Sequence, residues 1–291
     1  MCGDGVQVSV IIPTRNRPDS LSRILTILTR EVKCCNLADR VEIVVVDDAS
    51  EPPVTDALPA HNLATGSRTV RIVRIPEHRG ASAARNAGVD NSAGAVLIFL
   101  DDDIVPAEDY IRATIDVHRI HPEILVLNGN LRPLRNDVYS RFWFYYYAST
   151  FNRPGELYPV AMLASGNCSI KRSLLSIENP LFDPSLPTRE DFDLYLRLKL
   201  RGVPIYKSDR ILALNDCRNS LAGFISQRLR YAEGQRHLLA KHSHELLSQS
   251  QLKQAPRNWR FLHLNLALRL AQLAVGISDR IQRMLTLPKG T

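Results

Sequence analysis

Three consecutive aspartates, Asp101-Asp102-Asp103, follow the apolar run Ala95–Leu100 and are closed off by Ile104-Val105-Pro106. An unbroken apolar run bounded by turn signals suits a strand buried on both faces, as in a parallel sheet. The carboxyl end of such a strand is where open α/β sheets place their ligands. At roughly 5–6 Å and an effective dielectric near 20, each pair of carboxylates repels by about 3 kcal/mol. A divalent cation is the simplest neutraliser: Asp101 and Asp103, one residue apart, can both aim at one site. Mg2+ and Mn2+ favour carboxylate oxygens together with a substrate's phosphates. The competing reading is a solvated acidic turn that caps a helix starting near Ala107. A second acidic pair, Asp47-Asp48, ends another apolar run, Val41–Val46.

Elements must bring these acids together. Val8–Ile12 reads as a strand that breaks at Pro13-Thr14-Arg15-Asn16-Arg17-Pro18. Asp19 or Ser20 can cap the next helix, whose Leu21, Ile24, Leu25 and Leu28 have helical spacing. Val70–Ile75 is a further strand, and Pro76–Gly80 opens an alanine-rich helix over Ala81–Asn91. After the triplet a helix runs to about His121. Strands alternating with helices imply parallel pairing with right-handed crossovers. That topology puts the loop Pro13–Arg17, the pair Asp47/Asp48 and the triplet along one sheet edge.

Composition bounds the rest. The chain has 291 residues, 45% hydrophobic and 23% charged, as in an ordinary globular protein, with a formal charge of +7. That charge suits an anionic ligand, a nucleic acid or a lipid surface without choosing among them. Cys2, Cys34, Cys35, Cys168 and Cys217 are odd in number and lack paired C-x-x-C spacing, which reads as reduced thiols and a cytoplasmic location. The start, Met-Cys-Gly-Asp-Gly, does not read as a signal peptide, and no apolar run of about 18 residues suggests a spanning helix. The G-x-G-x-x-G fingerprint after the first strand and the G-x-x-x-x-G-K-[ST] loop are both missing, which disfavours a dehydrogenase and a P-loop ATPase. An aspartate phosphatase also begins with D-x-D after a strand, so spacing alone leaves that class open.

The motifs V-S-V-I-I-P-T-R-N-R (8–17), V-V-V-D-D-A-S (44–50), R-G-A-S-A-A-R-N-A-G (79–88), F-L-D-D-D (99–103) and R-E-D-F-D-L (189–194) occur in one order. In that order the chain resembles the family-two nucleotide-sugar glycosyltransferases of the GT-A fold, over about its first 215 residues. The resemblance implies an α/β fold with a Rossmann-like, mostly parallel sheet flanked by helices. Residues 1–215 would form the catalytic domain, with the nucleotide-sugar part over about 1–130 and the acceptor part over about 131–215. Residues 216–291 would be a helical extension, with a linker near 248–257.

The resemblance also implies roles. Pro13, Thr14 and Arg17 line the base pocket, and Asp47 or Asp48 accepts hydrogen bonds from base or ribose. The rival reading of that pair is as turn formers. Arg85, near a helix start, meets phosphate, with an ordinary surface arginine as the competing reading. Asp101 and Asp102 bind the ribose or donor sugar, and Asp103 binds Mn2+ or Mg2+. Asp191 is the general base that takes a proton from an acceptor hydroxyl, and one displacement inverts the anomeric centre. Against this, Thr188-x-x-Asp191 also resembles a helix capping box. Many relatives carry a metal-binding histidine after the next strand. Here Ile211–Leu214 leads into Asn215-Asp216-Cys217, so Asp216 is the substitute ligand, or the shell is left to Asp103, water and diphosphate. That departure motivates the alternative of a non-catalytic binding or partner subunit. The donor is a nucleoside-diphosphate sugar, with UDP favoured on family frequency. The acceptor is a hydroxyl on a glycan, a lipid-linked or a small molecule, and no nucleic-acid partner is implied.

Further along, Gln227-Arg228-Leu229-Arg230-Tyr231 is similar to the Q-x-x-R-W signature of processive synthases. The aromatic run Phe142–Tyr147 suits either acceptor stacking or a core. His237, His242 and His244 read as a polar surface. Leu262, Leu266, Leu270, Leu273, Ile277, Ile281 and Met284 trace an amphipathic helix with a basic side, suited to docking, a homodimer or peripheral membrane contact.

Overall fold

The computed structural model describes residues 7–59, 69–151, 156–217 and 220–242. The chain divides into two compact units, one built from residues 1–134 and 153–216 and the other from 135–152 and 217–291. In the first unit the strands are β1 (Val8–Thr14), β2 (Val41–Asp48), β3 (Val70–Ile75), β4 (Val96–Leu100), β5 (Ile104–Pro106), β6 (Val126–Pro133), β7 (Leu157–Val160), β8 (Asn167–Lys171) and β9 (Ile205–Asn215). Its helices are α1 (Pro18–Cys34), α2 (Val54–Ala57), α3 (Gly80–Asp90), α4 (Tyr110–Ile120) and α6 (Glu190–Leu200). The described part of the second unit holds α5 (Val138–Phe151) and α7 (Leu221–Lys241). The expected helix over 262–284, the linker near 248–257 and His244 lie outside the described residues. Among the described residues no helix is long and apolar enough to cross a membrane.

The strands form one sheet in the order β3-β2-β1-β4-β8-β6-β9-β5, with β7 paired to β9. From β3 to β4 every pairing is parallel. Beyond β4 the sheet is mixed: β8 runs antiparallel to both β4 and β6, and β6 and β9 are parallel. β1 and β2 are almost entirely buried, as their valine- and isoleucine-rich runs require of strands covered on both faces. Both strands extend past their apolar runs, so Thr14, Asp47 and Asp48 lie within the ladder rather than in loops.

Helix packing fixes the edge. α1 buries Leu21, Ile24, Leu25, Leu28 and Val32, each worth about 1.5–3 kcal/mol when fully removed from water. Its Pro18 takes the first helical turn, where a missing N–H costs nothing, and neither Asp19 nor Ser20 caps it. α3 lies directly on the sheet because Gly88 allows it: a Cβ there would meet Ile11 Cγ2 at 2.3 Å. The start of α4 is capped from α1, where the buried Glu31 carboxyl accepts from the amides of Ile111 and Arg112 at 3.1 and 2.8 Å. Burial, opposed by those amides, pushes the Glu31 carboxyl up to about 7. The triplet therefore does not cap the helix after it: β5 intervenes, α4 starts at Tyr110, and Glu31 serves its amides.

Candidate active site

The parallel ladder brings Thr14, Asp47, Asp48 and the triplet to one edge, since Thr14 pairs with Asp47 and β1 also pairs with β4. β8 enters the same edge from the other direction, with Leu100 opposite Asn167 and the Asp101 amide donating to the Gly166 carbonyl at 3.0 Å. Gly166 is small by necessity, as a Cβ would lie 2.3 Å from Asp101 Oδ2. Among the described residues four non-glycine residues have positive φ, and three of them, Asn16, Ala49 and Arg189, border this edge. Strain of that kind gathers at functional sites.

Asp47 and Asp48 are turned inward. Asp47 accepts from the Ser50 amide at 2.9 Å and the Val54 amide at 3.3 Å, and pairs with Arg74. Burial pushes its carboxyl up, but Ser50, Val54 and Arg74 together hold it below its ordinary value. Asp48 accepts from the amides of Arg79 and Gly80 at 2.8 and 2.9 Å and faces His78 Nδ1 at 2.7 Å. A carboxylate from β2 thus fills the positive end of α3, the helix start expected to meet phosphate.

The triplet is arranged differently. Asp102 is the inner member, accepting from Thr14 Oγ1 at 2.8 Å and Arg17 Nη1 at 3.2 Å, while its carbonyl accepts from Ser20 Oγ at 2.5 Å. Burial pushes its carboxyl up to about 6, with Arg17 pulling down and Asp103 adding to the rise. Asp101 and Asp103 flank it with side chains 32% and 33% exposed. Arg17 Nη1 also reaches Asp103 Oδ2 at 3.0 Å. Thr14 donates its hydroxyl to Asp102, and Pro13 is buried inside β1. What the loop exposes is Arg15 and Asn16.

Arg85 sits in the body of α3, with its side chain 3% exposed, and donates from Nη2 to Asp101 Oδ1 at 2.6 Å and from Nη1 to Glu190 Oε1 at 2.8 Å. It is buried and paired with two carboxylates rather than an ordinary surface arginine. Glu190, with Ser165 Oγ at 3.1 Å from the same Oε1, was not singled out from sequence. Its only signal was its place beside Asp191.

Asp191 lies in the first turn of α6 and accepts from its own neighbour's amide, Phe192 N, at 2.7 Å. The capping box does not form: Arg189 is the N-cap, in the left-handed region at φ 71°, with no side-chain cap bond. Burial first, then Glu190, pushes the Asp191 carboxyl up to about 7, against the pull of Arg189, Phe192 N and Arg85. A carboxyl there is poised to exchange protons near neutral pH.

The acids along this edge outnumber the guanidiniums that pair with them, which suits a divalent cation. Among the described residues no three His, Cys, Asp or Glu side chains gather into a metal cage. That donor set fits a hard cation that takes one or two carboxylates and completes its shell from phosphate and water. Asp216 lies beside Asp103, its amide donating to the Asp103 carbonyl at 2.9 Å, while its carboxylate is 3.9 Å from Arg23.

Solved structures define the fold as GT-A. A mannosyltransferase, PcManGT from Pyrobaculum calidifontis, in complex with GDP-Man and Mn2+, matches with a TM-score of 0.63 at 19% identity, covering 98% of this chain and 81% of that one. Residues 1–349 of TarS from S. aureus, in complex with UDP-GlcNAc, match with a TM-score of 0.56 at 14% identity, covering 85% of this chain and 76% of that one. The chain belongs to glycosyl transferase family 2, whose model matches residues 9–176. Among curated relatives, the pre-mycofactocin glycosyltransferase of Mycobacterium tuberculosis is 24% identical over 242 residues, 81% of this chain and 48% of that protein. The chain spans between 33% and 48% of the length of the first such relatives.

Proposed function

We propose that this protein is an inverting glycosyltransferase that moves a sugar from a nucleoside-diphosphate donor to an acceptor hydroxyl. The observation that carries the reading is the convergence of Asp101–Asp103 and Glu190-Asp191 at one sheet edge, bridged by a buried arginine. Asp191 takes the acceptor proton as that oxygen attacks the anomeric carbon from the side opposite the leaving diphosphate. Asp101 faces the donor sugar or ribose, and Asp102 anchors the loop through Thr14 and Arg17. Asp47 and Asp48 hold the neighbouring turn and the start of α3 in shape. Asp103, with Asp216 beside it, would hold Mn2+ or Mg2+, and such a cation when bound neutralises charge on the departing diphosphate. Neighbouring structures carrying GDP-Man with Mn2+ and UDP-GlcNAc support a nucleotide sugar as the donor class. UDP sugars are the first donors to test and GDP sugars the second.

The test is release of nucleoside diphosphate from a panel of UDP and GDP sugars with Mn2+ and mixed acceptors. Turnover in the wild type that disappears in Asp191→Asn and Asp103→Asn is the expected result. Donor binding without turnover across the panel would instead favour a binding subunit, and phosphate release from simple esters would favour a phosphatase.

A further inference from the structure

We propose that Arg85 is a positioning residue that holds the acceptor-side pair Glu190-Asp191 in register with the donor-side Asp101, so that the two acidic loops act as one unit. The proposal rests on the reading of Asp191 as the general base. Its footing is geometric. Arg85 contacts both loops, and its fork spends one η nitrogen on each, at 2.6 and 2.8 Å. The guanidinium lies over the Phe182 ring at 5.3 Å. That ring is itself fixed by the next residue: Asn86 Nδ2 donates to the Phe182 carbonyl at 2.7 Å, and its Oδ1 accepts from the Phe182 amide at 3.2 Å. Ser165 Oγ meets the same Glu190 oxygen from the β8 side at 3.1 Å. Glu190 is therefore gripped from two elements, and Asp191, one residue on, inherits its placement.

A lysine cannot reproduce this. Its ammonium is a point charge on a flexible stem, whereas the planar fork matches two acceptors at fixed separation. The bridge should therefore govern how well the base meets the acceptor and not how tightly the nucleotide binds. The charged and titratable groups facing Asp191 are Glu190 and Arg189 from its own segment, Arg85 from α3 and Cys168 from β8. Burial pushes the Cys168 thiol up and keeps it neutral. Among groups outside the α6 segment, Arg85 is then the cation that favours the ionised base.

The experiment compares the full chain as wild type, Arg85→Gln, Arg85→Lys and Asp191→Asn. Four quantities are read: thermal midpoint, affinity for UDP and GDP with Mn2+, kcat against KM, and the Asp191 midpoint from carboxyl NMR on aspartate-labelled protein. Arg85→Gln is expected to bind nucleotide within about threefold of wild type, to lose about 10²-fold in kcat and to raise the Asp191 midpoint by about one unit. Arg85→Lys is expected to restore the midpoint while recovering less than about a tenth of the rate. An unchanged kcat, a nucleotide affinity that falls in step with kcat, or an unmoved midpoint overturns the proposal. If the glutamine variant does not fold, the lysine variant decides through its rate and midpoint together. If the wild type transfers no sugar, the general-base reading fails, while the midpoint in Arg85→Gln still decides whether Arg85 holds Asp191.

Discussion

The two strands on either side of β1 both end in aspartates, and the structure partners those aspartates in opposite ways. At the end of β2, Asp47 and Asp48 have side chains 1% and 6% exposed and are consumed by backbone amides, Arg74 and His78. At the end of β4, Asp101 and Asp103 stay about a third exposed and pair with guanidiniums that themselves link loops. The course of the chain beyond each strand separates them. After β2 it turns back at Ser50 and Val54 and supplies donors. After β4 it passes into β5, and the start of α4 is served by Glu31 instead. At the end of β2 backbone amides reach both carboxylates, and at the end of β4 guanidiniums take their place.

The largest expected effect lies on the open cluster. Asp191→Asn should lower kcat by about 10²–10⁴-fold with little change in thermal midpoint, read from initial rates and circular dichroism. The same measurements on Asp47→Ala should give the reverse emphasis. Losing that carboxylate strands buried donors at about 1–3 kcal/mol each, so the urea midpoint should fall clearly. A stable but inactive Asp47→Ala protein would break the comparison.

The pH dependences should share a sign but fall in different windows and in different quantities. Asp47 is held below its ordinary value, so its stabilisation is present at neutral pH and is lost as pH falls through the carboxylate range. In Asp47→Asn the acid loss of stability, tracked by urea titration at several pH values, should be shallower than in wild type. Asp191 is pushed up to about 7, so log kcat/KM should climb with pH at about unit slope below that value and level off above it. The smallest effect is expected for Ser20→Ala, which removes one hydrogen bond to the Asp102 carbonyl and should cost about 1 kcal/mol.

Much of the parallel half was legible. Long apolar runs announce β1, β2 and β4, and Leu21, Ile24, Leu25 and Leu28 announce α1 by their spacing. The mixed half was not, because β5, β7 and β8 are short and β8 buries polar groups. Asn167 and Ser169 are fully enclosed, satisfied by Tyr110 OH at 2.7 Å and His118 Nε2 at 2.8 Å. Such pairings join distant segments and leave no periodicity in either. The acids of the site were visible as residue types, but their partners were not. Nothing local says that Asp48 fills the start of α3, or that Arg85 turns from that start toward Glu190. Asp191 was picked out by family order, and its raised proton affinity emerges only once Glu190 and its burial are in view.

The most direct test is a crystal structure of the full chain with Mn2+ and an intact UDP or GDP sugar, with anomalous data at the manganese edge. An anomalous peak ligated by Asp103 and the diphosphate, with the Asp191 carboxylate facing the anomeric carbon, is the predicted result. A nucleotide sugar bound away from the ends of β1 and β4, or an Asp191 carboxylate turned from the sugar, would contradict the account.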